Sequence, residues 1–394
     1  MKYLHLIDDT VFTNFAINLF EQCNKGNNMF LISTVDPQAT LRHTEARHEV
    51  KVLKRRTKQY ISFIRQYPFD VLVVHAMCRD KRWAVNRLVK GNRRIIWLSW
   101  GTDIYNTSFY KKPLYQYYTN QIVGQQRSGV TAGIKSLLSR LYYFSYTGMF
   151  PDAAYKKAVA QVDYCATVIP DEFEILNSFP FFSAKQVLFS YESIENMFKD
   201  KIGEDDYVMG NDILVGNSAG PESNHLDVLN AISEMELGEK QKVVVPLNYA
   251  GTPAYKAVVL KQGEDLLGEN FFPLLDFYPS AAYVTLLKQC SVAVMNHNRQ
   301  QAVGNLIALL WLGCRIFMSE ESIVYSYLKR KGFKIYSFQQ EFNGKSIGTA
   351  LTREEREHNR ELLIAEYSHQ AVLTKVKMLI AEVEQGVPKY LQET

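Results

Sequence analysis

The 394-residue sequence contains no run of about 18 uninterrupted apolar residues, so its pattern gives no membrane-spanning helix. Its first residues, MKYLHLIDDTVF, hold no long apolar stretch and no small-residue cleavage site, so secretion is not expected. Five cysteines, Cys23, Cys78, Cys165, Cys290 and Cys314, are scattered and odd in number, with no CxxC and no Cys/His cluster. That spacing argues against a zinc site and points to buried thiols in a reducing compartment. A net charge of +4 is too small to argue for a nucleic-acid partner. The DxD, P-loop, GxSxG and HExxH patterns are missing as well. The expectation is a cytoplasmic protein, or one that rests on a membrane without crossing it.

What remains is the composition of an ordinary folded protein, 47% hydrophobic and 22% charged. At this length two domains are expected. Short apolar runs at 3–7, 29–33, 70–75, 94–99, 164–169 and 186–190 read as strands, with amphipathic helices at 14–23, 54–66 and 83–90 between them. Strands separated by helices of this length pair in parallel through crossovers. A polar stretch at 196–211, with Lys199, Asp200, Lys201, Glu204, Asp205 and Asp206, reads as a linker. The alternation then restarts, with strands at 213–216, 243–246, 272–275, 292–296, 315–318 and 334–337. The predicted fold is α/β, two Rossmann-like doubly wound domains facing across a cleft. The first covers 1–196 and the second 211–345; the tail at 352–394 forms charged amphipathic helices that pack back across the hinge.

One region departs from the alternation. Residues 107–157 carry Phe109, Tyr110, Tyr115, Tyr117, Tyr118, Tyr142, Tyr143, Phe144 and Tyr146, interleaved with Lys111, Lys112, Arg127, Lys135, Arg140, Lys156 and Lys157. Aromatic and basic residues mixed in this way suit a surface that meets anionic headgroups and a lipid pyrophosphate. A helical insertion with an aromatic core and solvated lysines is the other reading.

Two polar turns carry the strongest chemical signal. In ILVGNSAGPESNH an apolar strand ends in Gly216, Asn217 and Ser218, and a helix follows from about His225. Small residues allow close backbone approach and the helix start offers free N–H groups, so a diphosphate is the natural occupant. The spacing is not GxGxxG, which argues against a dinucleotide. A plain turn capped by Ser223 or Asn224 is the alternative. The second turn, MNHNRQQAVGN, precedes the apolar helix 306–312. Arg299 is suited to pairing with phosphate, and Gln300, Gln301 and Asn305 to reading sugar hydroxyls. Both turns leave the carboxyl ends of strands, where open α/β sheets bind ligands.

Three weaker signals accompany them. Glu320 and Glu321, past the strand 315–318, are candidate acceptors for ribose or sugar hydroxyls, or else dipole-favoured residues of a helix start. Asp103, in WLSWGTDIY, and His75, which ends the strand 70–75, are the candidate bases for an acceptor hydroxyl. No metal site is expected; basic and backbone donors would stabilise a leaving diphosphate.

The segments WLSWGTDIY, ILVGNSAGPESNH, KVVVPLNY, LKQCSVAVMNHNRQQAVGN and the strand leading to Glu321 resemble, in order and spacing over about 70–338, the bacterial TDP-N-acetylfucosamine:lipid II N-acetylfucosaminyltransferase family, the 4-alpha-L-fucosyltransferases. The resemblance implies a GT-B fold, a dTDP- or UDP-linked sugar donor as substrate with no further cofactor, and a polyprenyl-pyrophosphate-linked saccharide acceptor at the inner face of the cell membrane. It carries the family's donor loop onto Gly216, Asn217 and Ser218, with Asn224 beside it. Its RQQ loop falls on Arg299, Gln300 and Gln301, with Gly304 after it, and its WGxD aspartate on Asp103. Tyr249, which ends KVVVPLNY, joins Glu320 and Glu321 as an expected ribose or sugar contact. The sequence departs from the family pattern at Ala76, where the family tends to have glycine, and in the longer 107–157 region. A nucleotide-sugar 2-epimerase of the same shape and a non-catalytic two-domain ligand-binding protein remain open at this stage.

Overall fold

The structure, a computed structural model, describes residues 1–38, 40–88, 91–127, 130–199 and 201–386. The end of the helix expected at 83–90, Asp200 of the expected linker and the last residues of the tail lie outside these, as does the side chain of Arg127. The chain forms two units, and neither is a single stretch of sequence. The first comprises Met1–Lys111, Lys135–Ser193 and the chain from His369; the second comprises Lys112–Ile134 and Ile194–Ser368.

The first unit is built on seven parallel strands: β1 (Tyr3–Ile7), β2 (Asn28–Thr34), β3 (Val50–Lys54), β4 (Val71–His75), β5 (Arg94–Leu98), β6 (Tyr164–Ala166) and β7 (Lys185–Gln186). Their order is β3-β2-β1-β4-β5-β6-β7. β1 and β4 are buried along their whole length, as expected of central parallel strands covered on both faces, which is why they read as continuous apolar runs. β3 is a correction, since its residues were expected between elements and in the start of a helix. It lies at the sheet edge with Lys51 and Lys54 exposed, so no apolar run marks it. The helix behind it, Lys58–Gln66, starts only at Thr57, whose side chain accepts from Tyr60 N.

The second unit has six parallel strands: β8 (Asp212–Val215), β9 (Val243–Pro246), β10 (Phe271–Leu274), β11 (Cys290–Met295), β12 (Arg315–Met318) and β13 (Tyr336–Ser337), in the order β10-β9-β8-β11-β12-β13. In both sheets the chain first builds outward on one side of the opening strand and then returns to build on the other. The reversal falls between β1 and β4 in the first unit and between β8 and β11 in the second. At such a reversal the flanking crossovers leave on opposite faces, so the loops diverge and open a crevice beyond the strand ends.

Three segments sit differently from their expected places. Residues 194–211 do not hang as a linker; they pack on the second unit. Asp206 takes Lys288 Nζ at 2.6 Å, Trp311 Nε1 donates to Gly203 O at 3.2 Å, and Arg360 donates to Asp206 O at 2.6 Å and to the Tyr207 hydroxyl at 2.9 Å. The polar residues that read as solvated are hydrogen-bond partners. The aromatic region 107–157 is divided between the units at Lys111/Lys112 and again at Ile134/Lys135. The tail divides too: the helix Arg353–Tyr367 belongs to the second unit and the helix His369–Gln385 to the first. Val372, Val376, Leu379, Ile380 and Val383 of the last helix join Tyr3, Ile7, Phe20 and Val71 in one core. All five cysteines are free thiols, and Cys165, Cys290 and Cys314 are buried.

Candidate functional site

At the reversal of the second sheet the two polar turns expected from the sequence meet. Gly216, directly after β8, has φ +67°, and a Cβ placed there would lie 2.9 Å from Ser223 Cβ and 3.3 Å from His225 Nε2. Only glycine fits that bend without strain. Asn217 follows; its Oδ1 accepts from Gln301 Nε2 at 2.8 Å and its Nδ2 donates to the Tyr249 hydroxyl at 2.8 Å. Residues from the ends of β8, β9 and β11 thus form one chain. Ser218 is buried, and its Oγ accepts from Gly220 N at 3.3 Å.

Asn224 takes a left-handed conformation, φ 50° and ψ 43°, and is fully buried. It makes no side-chain cap. Its Nδ2 instead donates to Asn296 O at 2.7 Å, across to the turn after β11, and its Oδ1 accepts from Gln116 N at 2.9 Å. Gln116 was not expected here. Its amide exchanges two bonds with Asn296, at 2.7 and 2.9 Å, so this glutamine from the aromatic region braces both turns. Nearby, Asp227 accepts from Tyr118 N at 2.8 Å and Thr119 N at 3.1 Å, satisfying the start of the helix Tyr117–Arg127. A polar glutamine within YQYYT was the only signal available in the sequence.

The turn after β11 holds polar atoms left unsatisfied among the described residues. Arg299 Nη1 donates to Gln300 O at 3.2 Å, but Arg299 Nε, Gln301 Oε1 and both ring nitrogens of His297 are buried without a partner there. Each such atom costs about 1–3 kcal/mol. Burial, with Arg299 and His225 adding to it, holds His297 neutral and lowers its pKa to about 3. His225 is lowered to about 4, chiefly by burial. Ala302 stands at φ 58° just before the helix Val303–Leu312, a strained conformation for a residue with a Cβ. Gly304 is exposed in that helix's first turn, and a Cβ there would meet nothing nearer than Met197 Cε at 4.0 Å, so the backbone faces open space.

Asn305 is inside the helix and donates to the Tyr283 hydroxyl at 3.3 Å. Glu320 and Glu321 follow β12 and precede the helix Ile323–Arg330, so neither is a first-turn residue; Glu321 is exposed and Glu320 half-buried. Gln300 is buried beside Arg299.

In the first unit both candidate bases are engaged by the fold. Asp103 is buried, and its carboxylate accepts from Met77 N and Trp97 Nε1, each at 2.7 Å, and from Trp100 N at 2.9 Å. Three N–H donors fix the WGTD turn and take three of the carboxylate's roughly four lone-pair sites. His75 is fully buried in β4. Trp100 Nε1 donates to the Tyr191 hydroxyl at 2.6 Å, that hydroxyl is hydrogen-bonded to His75 Nδ1 at 2.9 Å, and His75 Nε2 is hydrogen-bonded to His5 Nδ1 at 3.1 Å. Burial keeps the row neutral: His5 falls to about 3, and His75 goes well below its usual range, with His5 and Lys81 adding to the effect. A cavity of about 400 Å³ lies beside this turn, lined in part by Arg79, Arg82, Asp103, Phe109 and Tyr155.

Comparison with known proteins fits this geometry. The family of 4-alpha-L-fucosyltransferase glycosyl transferases, group 56, matches residues 182–365, a span that includes both polar turns. Solved structures match along nearly the whole chain at low identity. A sucrose-phosphate synthase from Thermosynechococcus elongatus is 10% identical, with 98% of this chain and 99% of that chain covered and a TM-score of 0.61. A trehalose-6-phosphate structure from E. coli, bound with UDP-2-fluoro glucose, is 8% identical over 99% and 100%, with a TM-score of 0.63. Anabaena Alr3699/HepE in complex with UDP is 10% identical over 98% and 99%, with a TM-score of 0.56. The two reversing parallel sheets are those of the GT-B fold, and the chain is a glycosyltransferase whose residues 182–365 match the 4-alpha-L-fucosyltransferase group 56 family.

Proposed function

We propose that the enzyme transfers a sugar, amino-deoxy in character and of the N-acetylfucosamine type, from a dTDP- or UDP-linked donor to a polyprenyl-pyrophosphate-linked saccharide in surface polysaccharide synthesis. The donor belongs to the second unit. The observation that carries this is the junction of the two turns at the reversal of that sheet, where Gly304 leaves backbone open and Arg299 and His297 carry unsatisfied nitrogens. An anionic diphosphate seated there would offset the cost of those groups and meet the free N–H groups at the start of the helix Val303–Leu312. The same fold holds UDP in Anabaena Alr3699/HepE and UDP-2-fluoro glucose in the E. coli structure, which supports a nucleotide-sugar donor. Arg299, Gln300, Gln301, Asn217 and Ser218 would take the phosphates, and Tyr249, Glu320 and Glu321 the ribose or sugar.

The acceptor reading draws on the helix Val130–Thr147. Ile134, Leu137, Leu138, Leu141 and Phe144 are exposed along one face, while Tyr143 and Thr147 on the opposite face are buried. Lys135 and Arg140 border the apolar arc on either side. That is the pattern of a helix lying in the plane of an anionic membrane surface, cytoplasmic side, with its basic residues at headgroup level. No helix among the described residues is long and apolar enough to cross a membrane.

Thermal denaturation with dTDP, UDP, ADP and GDP tests the donor site. A pyrimidine nucleoside diphosphate at about 100 times its Kd should stabilise by about 2.7 kcal/mol and raise the Tm by several degrees. Arg299→Ala should remove most of that rise. If no pyrimidine diphosphate moves the Tm, the donor reading fails.

A further inference from the structure

The reversal of the first sheet lies between β1 and β4, and the residues that follow these strands are Asp8 and Ala76. Lys81 ties the two ends together: its Nζ donates to Asp8 Oδ2 at 2.6 Å and to the backbone oxygen of His75. The lysine side chain is 1% exposed and that of Asp8 is 38% exposed. Burial works against the ammonium charge, but Cys78 and Asp8 favour it, and the lysine's proton affinity rises overall.

Three carboxylates near this edge can be compared. Both oxygens of Asp9 are held, one by Arg42 N and the other by His43 N, Thr44 N and Thr44 Oγ1, which pins the 42–44 loop. Asp103 is held by three N–H groups. Asp8 differs. One oxygen is fixed by a buried cation, and Oδ1 has no protein partner among the described residues.

We propose that Asp8 is the carboxylate that takes the proton of the acceptor hydroxyl, with Lys81 as its positioning residue; this rests on the sugar-transfer reading above. As the acceptor oxygen bonds to the anomeric carbon, its O–H bond breaks and the proton passes to Asp8 Oδ1. The bond from the anomeric carbon to the donor phosphate breaks in the same step, and its electron pair leaves on the nucleoside diphosphate. A weak base suffices, because the hydroxyl becomes strongly acidic once its oxygen bonds to carbon. Lys81 holds the carboxylate in one rotamer and directs Oδ1 outward.

The test uses the full-length enzyme with dTDP- and UDP-linked hexoses and a short-chain polyprenyl-pyrophosphate-linked disaccharide, following release of dTDP or UDP. Asp8→Asn should lower kcat by about 100-fold or more, with the donor KM and the thermal shift by dTDP or UDP unchanged. Because Asp8→Asn leaves a buried ammonium unpaired, Asp8→Asn/Lys81→Met is the second variant: its Tm should recover while kcat stays low. A double variant that regains a tenth or more of wild-type turnover would show that Asp8 only neutralises Lys81, and would overturn the assignment. An Asp8→Asn enzyme as active as wild type overturns it too, leaving the transfer reading standing. Wild-type protein that shows neither a nucleotide shift nor diphosphate release removes the transfer reading and this assignment together.

Discussion

Gln301 Nε2 donates to Asn217 Oδ1 across 2.8 Å, joining residues 84 positions apart into one surface. The turn after β8 and the turn after β11 are therefore set relative to each other by an amide pair as well as by strand pairing. Gln301→Leu removes this bond while keeping most of the volume. Nucleoside diphosphate affinity should fall about tenfold, equivalent to about 1.4 kcal/mol, as read by titration calorimetry with dTDP or UDP. An unchanged Kd would mean that the turns are held by Asn224 and Gln116 alone.

Gly216→Ala meets two obstacles at once, a left-handed φ and a Cβ placed 2.9 Å from Ser223 Cβ. A loss of about 2 kcal/mol in urea unfolding is expected, from roughly 1–2 kcal/mol of backbone strain plus the clash. The thermal shift by dTDP or UDP should disappear with it. Gly304→Ala is the contrast: with open space at its Cβ, stability should hold while nucleotide binding weakens.

Asp103→Asn should act on stability before chemistry. An amide turned toward Met77 N, Trp97 Nε1 and Trp100 N loses the charge that all three donors face. About 2–4 kcal/mol should be lost, since hydrogen bonds to a charged group are worth about 1.5–3 kcal/mol and an unmatched buried donor costs more. Turnover per folded molecule should remain within about tenfold of wild type, below the range of a lost general base. A well-folded Asp103→Asn protein with turnover reduced a thousandfold would contradict the anchoring role.

Ala76 occupies φ 60°, directly after β4. Ala76→Gly relieves strain of roughly 1–2 kcal/mol and gives back about 0.5–1 kcal/mol through greater freedom in the unfolded chain. A net gain of about 0.5–1 kcal/mol is expected from the urea midpoint.

Acid should destabilise the second unit well before its carboxylates protonate. His225 and His297 have folded pKa values near 4 and 3, below the ordinary 6.5. The unfolded chain therefore takes up protons first as pH falls, so stability is steady above about pH 7 and drops from 6.5 down toward 4. Between pH 7.5 and 5.5 the two histidines together should cost about 3 kcal/mol. Urea midpoints measured at the two pH values check this, and a constant midpoint would contradict the burial of the imidazoles.

Much of the fold was legible because its signals are local. Fully buried strands such as β1, β4 and β9 read as apolar runs, and both polar turns followed strands in plain sequence. β3 was missed because an edge strand with Lys51 and Lys54 facing water carries no such run. The partners of the turns were hidden for a different reason. Gln116 lies 108 residues from Asn224 and 180 from Asn296, and Lys81 lies 73 from Asp8, so no spacing rule pairs them. Asp103 and His75 stood at the correct end of their strands. The number of donors that close on them is set in part by distant residues, and that number decides whether a carboxylate or imidazole is free to move a proton.

The last helix has a consequence for how the protein tolerates shortening. Its five buried aliphatic residues share one core with residues of β1 and β4, the strands that Asp8 and Ala76 follow. A gene cut just after the codon for Ser368 would leave the second unit with all its own strands and helices, yet it would remove a helix from the core of the first unit and expose its earliest-made strands to water. Such a product should aggregate through its N-terminal portion, although nothing there has been altered.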